Sequence, residues 1–140
     1  LESVANKKKS LPNGNPVVQA MFMAEVKNWI LTAGYDLKGL ESRFMVQLAD
    51  GESSYVGMGN QQRTPPLNDI LFKSSDKMLG SIICGPDHSH RIVENTSDAL
   101  FAAYGVPGIN SSQIEKHFND IAAFVQLFSP DAEIKDIIIL

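Results

Sequence analysis

One stretch gathers most of the side chains that could do chemistry: Cys84-Gly85-Pro86-Asp87-His88-Ser89-His90-Arg91-Ile92-Val93-Glu94-Asn95-Thr96. Glycine and proline bend it, and it directly follows the apolar run Met78-Leu79-Gly80-Ser81-Ile82-Ile83. Polar turns beside a buried strand are where binding and catalytic groups are commonly held. Asp87 could orient a water or accept a hydrogen bond from a ligand hydroxyl. His88 is a candidate general base, because imidazole exchanges its proton near neutral pH. Gly85 and Ser89 flank this pair, and the upstream run Gly57-Met58-Gly59 would let a ligand approach bare backbone closely. Each feature also has a plainer reading. An aspartate in a Gly-Pro-Asp turn often holds that turn by bonding its own backbone, and glycines in a strand often relieve a bulge.

Other chemistries are weaker. His88 and His90 share a face if the segment is extended, and Asp87 or His117 could join them, yet the spacing fixes no third metal ligand. No metal and no cofactor is expected. His117, beside Phe118 in a helical pattern, is expected at the surface or an edge. Trp29, with the Met21–Met23 region, is expected in the core. Cys84 is the only cysteine, which excludes an intrachain disulfide and a multi-cysteine zinc site. It reads as a small buried hydrophobe, and a reducing cytoplasm is the expected compartment. The formal net charge of −4 gives no global attraction for nucleic acid, so an RNA partner would need a local basic patch. The run Lys7-Lys8-Lys9 is read as a solvated tail or, failing that, a phosphate contact. No apolar stretch approaches the ~20 residues that cross a bilayer, and no signal-peptide pattern is visible. Neither a membrane nor DNA is an expected partner. The chain opens on Leu1 rather than Met, as a fragment or a processed product would. Its 140 residues suit one domain.

The elements that must position these groups follow from periodicity. Residues 1–10 read as a flexible segment and 11–140 as the domain. Asn15 and Pro16 suit the N-cap and first position of a helix. Val17, Met21, Ala24, Ile30 and Leu31 continue it to about Leu31, with Gly34 ending it. Residues 43–48 and 54–59 form an expected hairpin around Asp50-Gly51, and Asn60–Pro66 a polar loop. Ile70–Phe72 and Met78–Ile83 read as strands around the turn Ser74–Lys77. Ser97–Val106 reads as buried strand or helix. Ser112 and Glu115 form an S-x-x-E capping box ahead of a helix from Ser112 to Leu127, and Ile134–Leu140 reads as a closing strand. Strands in the middle and helices at the flanks argue for an α+β fold.

Five motifs in this order resemble the editing domain of the β subunit of phenylalanyl-tRNA synthetase, often called the B-three/B-four domain, and its free-standing relatives. They are Ser10-Leu11-Pro12 through Phe22, then Ala33-Gly34-Tyr35-Asp36-Leu37, Tyr55-Val56-Gly57-Met58-Gly59, the strand Asp69-Ile70-Leu71-Phe72 with the glycine-rich turn Gly80 through Ser89, and Glu94-Asn95-Thr96 through Phe101. The resemblance covers Ser10 to the C terminus. It implies an α+β, three-layer domain containing a β-sandwich, without an N-terminal portion that relatives carry. It also implies hydrolysis of a wrongly attached amino acid from tRNA, with the aminoacylated 3′ end of tRNA or a free amino acid as partner. The family's turn glutamate falls on Asp87, a turn glycine on Pro86, a threonine on Met21 and a histidine near Thr32. Asp87, carried over in this way, and His88, chosen for its imidazole, are the candidate catalytic pair. Thr32, Gly57, Met58, Gly59, Gly85 and Ser89 are the candidate substrate contacts. The alternative is a module on the same fold that binds an amino acid or tRNA without turnover. A small metal-dependent enzyme using His88 and His90 is a third reading.

Overall fold

The computed structural model describes residues 14–139, so the Lys7–Lys9 run lies outside the described residues. Helix α1 (Pro16–Asn28) begins as its sequence asks. The Asn15 side chain accepts from the Val17 amide at 2.9 Å, and Pro16 occupies a position whose N–H would have no helical partner. The helix ends three residues earlier than expected. Trp29 turns left-handed (φ 58°) and donates its N–H to Glu25 O, and strand β1 (Leu31–Asp36) follows at once. Gly34 is therefore a strand residue and not a helix stop. Trp29, expected in the core, is 58% exposed on this bend.

The chain divides into two compact units. One runs to Thr32 and resumes at Phe101; the other is Ala33–Leu100. The division falls within β1 and within β8 (Ala99–Tyr104), which pair as a two-stranded sheet. The first unit packs α1 against α2 (Ser111–Gln126), burying Ala20, Met21, Ala24 and Ile121. The α2 cap lies two residues before the expected box. Asn110 accepts from the Gln113 amide while Gln113 Oε1 accepts from the Asn110 amide, both at 2.9 Å. Among the described residues, 133–139 form no strand, against the expectation for the β-branched run there.

The second unit holds a four-stranded antiparallel sheet, β2-β5-β6-β7. Its strands are β2 (Phe44–Leu48), β5 (Ile70–Ser74), β6 (Lys77–Ser81) and β7 (Gly85–Pro86). A separate hairpin joins β3 (Tyr55–Gly57) to β4 (Gln61–Arg63). The expected pairing of residues 43–48 with 54–59 does not form. Strand β2 pairs with β5 instead, Val46 opposite Phe72, and β3 turns back on itself through Gly59 and Asn60, both at positive φ. That backbone makes a tight return, which Gly and Asn tolerate best, so the supposed loop 60–66 begins with a strand. Tyr35, Leu71 and Leu79 form the core of this unit, with Phe72 between the rings of Tyr35 and Phe44. The coarse class is α+β. No helix among the described residues is long and apolar enough to cross a membrane.

Candidate functional site

The polar bend is placed by three short connections. After β6 the chain turns through Ile82–Cys84, with Ser81 Oγ accepting from the Cys84 amide at 2.9 Å. Cys84 itself is only part-buried. Strand β7 then returns so close to Gly80 that a Cβ there would lie 2.8 Å from Gly85 O and 2.9 Å from Tyr35 Oη. Only glycine fits without a shift. The Asp87 amide next bonds Leu79 O at 2.8 Å, while the His88 amide bonds Val56 O at 2.8 Å. An isolated antiparallel bridge links Gly57 to Asp87. The bend and the glycine hairpin, far apart in sequence, are thus neighbours.

Asp87 is 4% exposed. Its Oδ2 accepts from the amides of Ser89 and His90 at 3.1 and 3.2 Å and pairs with His90 Nδ1 at 2.8 Å. A carboxylate oxygen accepts, so in this pair His90 carries a proton on Nδ1 and donates it. The second carboxylate oxygen, Oδ1, is buried and has no hydrogen-bond partner among the described residues. His88 Nδ1 is in the same position. The imidazole that Asp87 holds is that of His90, three residues on, and not that of His88. Sequence alone suggested His90 only as a metal ligand, and the signal for its pairing is an aspartate followed by a tight turn. No group of three or more His, Cys, Asp or Glu that could hold an ion occurs among the described residues.

The rest of the bend is tied down locally. Arg91 Nη1 donates to His88 O at 2.7 Å, and the Asp36 amide donates to His90 O at 2.8 Å. Thr96 Oγ1 donates to Asp36 Oδ2 at 2.7 Å and accepts from the Val93 amide at 2.9 Å. The Thr96 hydroxyl and then the Lys38 amide hold the Asp36 carboxyl below its ordinary range. Tyr55 Oη, pushed toward its neutral form by burial, donates to Gly85 O. Gly57 lies under the stem of Arg63, where a Cβ would come within 2.6 Å of Cγ. Met58 is exposed in the turn, and Gly59 has positive φ with open space around it. Gly85 also has positive φ, and Ser89 is exposed. A hollow of about 160 Å³ in this unit is lined by Glu41, Ser74, Ser75, Asp76 and Lys77, none of them from the bend.

Thr32 belongs to the other unit, in a buried network that the sequence did not announce. His117, expected at the surface, is 0% exposed. Its Nε2 lies 2.7 Å from Thr32 Oγ1, and its Nδ1 lies 3.2 Å from Asn28 Nδ2. Asn28 Nδ2 also donates to Asp120 Oδ2 at 2.9 Å. An amide nitrogen donates only, so His117 Nδ1 accepts and Nε2–H donates to Thr32, whose hydroxyl proton goes to Ile30 O at 3.2 Å. The polarity is the reverse of what would activate a hydroxyl nucleophile. Burial holds the His117 ring toward its neutral form. Glu25, on α1, accepts from the Thr32 amide at 2.7 Å; burial raises its pKa to about 7, with the amide bond opposing. Burial pushes the Asp120 carboxyl upward, but bonds from Lys116, Lys27 and Asn28 outweigh it and hold the group ionised.

No family model matches this chain, and no curated protein is similar to it.

Proposed function

We propose that the Asp87 bend and the Gly57–Gly59 hairpin wall the ligand site of an editing-type domain. It would bind the aminoacylated 3′ end of tRNA and hydrolyse a wrongly attached amino acid. The observation that carries this reading is the bridge between Gly57 and Asp87, which sets the carboxylate–imidazole pair beside a glycine turn. The order of the five motifs supports the same reading, and two of them meet directly in the Asp36–Thr96 bond.

In this reaction His90 Nε2 takes a proton from water as the water oxygen attacks the ester carbonyl carbon. The tetrahedral intermediate then expels the ribose oxygen, which receives that proton, leaving free amino acid and tRNA. Asp87 fixes the ring tautomer and stabilises the imidazolium as it forms, the role carboxylates play in hydrolytic triads. Backbone N–H groups around Gly59 are the candidates for the developing oxyanion.

The test is a deacylation assay with a panel of mischarged tRNAs, tyrosine on the phenylalanine tRNA among them. Ester hydrolysis that His90→Ala lowers by about 100-fold or more is the expected result. No turnover of any member by folded protein would sink the proposal. A binding module without turnover is the second reading. It is favoured by the three bonds to Asp87 Oδ2, all of which go into holding the bend. Thermal stabilisation by an amino acid or tRNA without hydrolysis would select it.

A further inference from the structure

The glycine hairpin and the Asp87 bend share more than a backbone bridge. Arg63 on β4 lies opposite Tyr55 on β3, and Asp87 lies opposite Gly57 on the other side of β3. Residues directly opposite in an antiparallel pair put their side chains on one face, and residues two apart along a strand share it. Arg63, Tyr55, Gly57 and Asp87 therefore belong to a single face. Tyr55, Gly57 and Asp87 are buried on it, whereas Arg63 is exposed at its margin. The Arg63 stem fills the space that a side chain at position 57 would occupy. A Cβ there would lie 2.6 Å from Arg63 Cγ and 3.4 Å from its Nε. Gly57 is not among the positive-φ residues, so its backbone does not demand glycine; the crossing arginine does. Among the described residues the Arg63 guanidinium makes no hydrogen bond or ion pair. The other guanidinium of this region, Arg91, donates to His88 O at 2.7 Å and holds the bend.

We propose, on the editing-type reading of this site, that Arg63 binds the phosphodiester next to the esterified ribose of the tRNA 3′ end. The formal net charge of the chain is −4, so affinity for RNA must come from cations placed locally. A guanidinium presents parallel N–H donors that match two phosphate oxygens, and it stays charged across the working pH range. The uncharged ester lies toward Asp87 and His90. The phosphate, which is costly to strip of water, stays at the exposed margin with Arg63. A free amino acid would offer a carboxylate instead, but esterification removes that charge. In the aminoacylated substrate the phosphodiesters are the anions left for Arg63.

Two readouts separate this contact from the chemistry. Fluorescence anisotropy with a labelled RNA, carrying the last nucleotides of the phenylalanine tRNA, reports binding without turnover. Arg63→Ala should weaken that binding about tenfold or more. It should also flatten the slope of log affinity against log salt by about 0.7, the share of one phosphate on a single strand. In the deacylation assay the same variant should raise KM about tenfold, with kcat within about twofold of wild type. Arg63→Lys should restore the salt slope. Arg43→Ala, which removes an exposed arginine just before β2, should change neither readout. Gly57→Ala displaces the stem and should match Arg63→Ala in RNA binding, the two together costing no more than one. Circular dichroism should show the wild-type fold for each variant. If Arg63→Ala hydrolyses a mischarged tRNA with unchanged KM and salt slope, the contact is overturned and the editing reading stands. RNA that fails to bind, with no turnover of any mischarged tRNA, would overturn both. A variant that keeps its RNA affinity but loses thermal stabilisation by free amino acids would assign Arg63 to a carboxylate and overturn the phosphate contact.

Discussion

The two polar clusters are built from similar residues and differ in what is left over. Around His117, the described donors and acceptors close on one another from Lys27 through Asp120 and Asn28 to Thr32 and the Ile30 carbonyl. Around Asp87, one buried carboxylate oxygen has no hydrogen-bond partner among the described residues. A satisfied buried network rigidifies, whereas an unsatisfied buried acceptor costs stability unless something supplies the missing donor. The first arrangement holds α1 to α2; the second is the one to which the proposed function assigns the ligand. Residue type alone does not separate them.

Substitutions can break this contrast, and the largest effect belongs to His90. Removing its ring should lower ester hydrolysis by about 10²–10⁴-fold, the usual worth of a positioned acid–base group, while the thermal midpoint moves little. His117→Ala should do the opposite. A void and unpaired groups on Thr32 and Asn28 should cost about 3 kcal/mol in denaturant melts, with the rate per folded molecule unchanged. Equal losses of rate in both variants would erase the distinction. Gly80→Ala comes next, at about 2 kcal/mol, because its methyl meets the Gly85 carbonyl and Tyr35. It should also loosen the Asp87 bend, visible as faster exchange of the Ser89 and His90 amides.

Titration sharpens the comparison further. Glu25 has a folded pKa raised from 4.5 to about 7, so the fold favours its protonated form. That contribution is fully present below pH 4.5 and is lost as pH rises through about 7. His117 is shifted down from 6.5, so the fold favours its neutral form and stability falls as pH drops below 6.5. Melting curves across this range should show Glu25→Gln removing the alkaline loss while leaving the acid side intact. The smallest effect is expected of Lys116→Ala. Its exposed pair with Asp120 should contribute about 0–1 kcal/mol, falling with added salt.

Much of the framework was legible because local signals there agree. Asn15-Pro16 starts a helix by itself, and the apolar spacing of Ile114, Phe118 and Ile121 needs no tertiary help. Pairing was less legible. Residues 43–48 alternate as a strand should, but nothing in their order says that β5, and not the nearer β3, completes their ladder. The Gly57–Asp87 proximity was anticipated, whereas the choice of His90 over His88 depends on how the chain turns after Asp87. Burial of His117 is not legible in the sequence, because a histidine beside Phe118 reads as an edge residue until Thr32 and Asn28 arrive from elsewhere to satisfy both ring nitrogens.

The left-handed bend at Trp29 supplies a practical instrument. It carries the chain's only indole, set in solvent between the helix that bears Glu25 and the strand that bears Thr32. Loosening of that joint should shift emission wavelength and quencher access without any introduced dye. The acid and alkaline transitions could therefore be followed optically in the natural sequence.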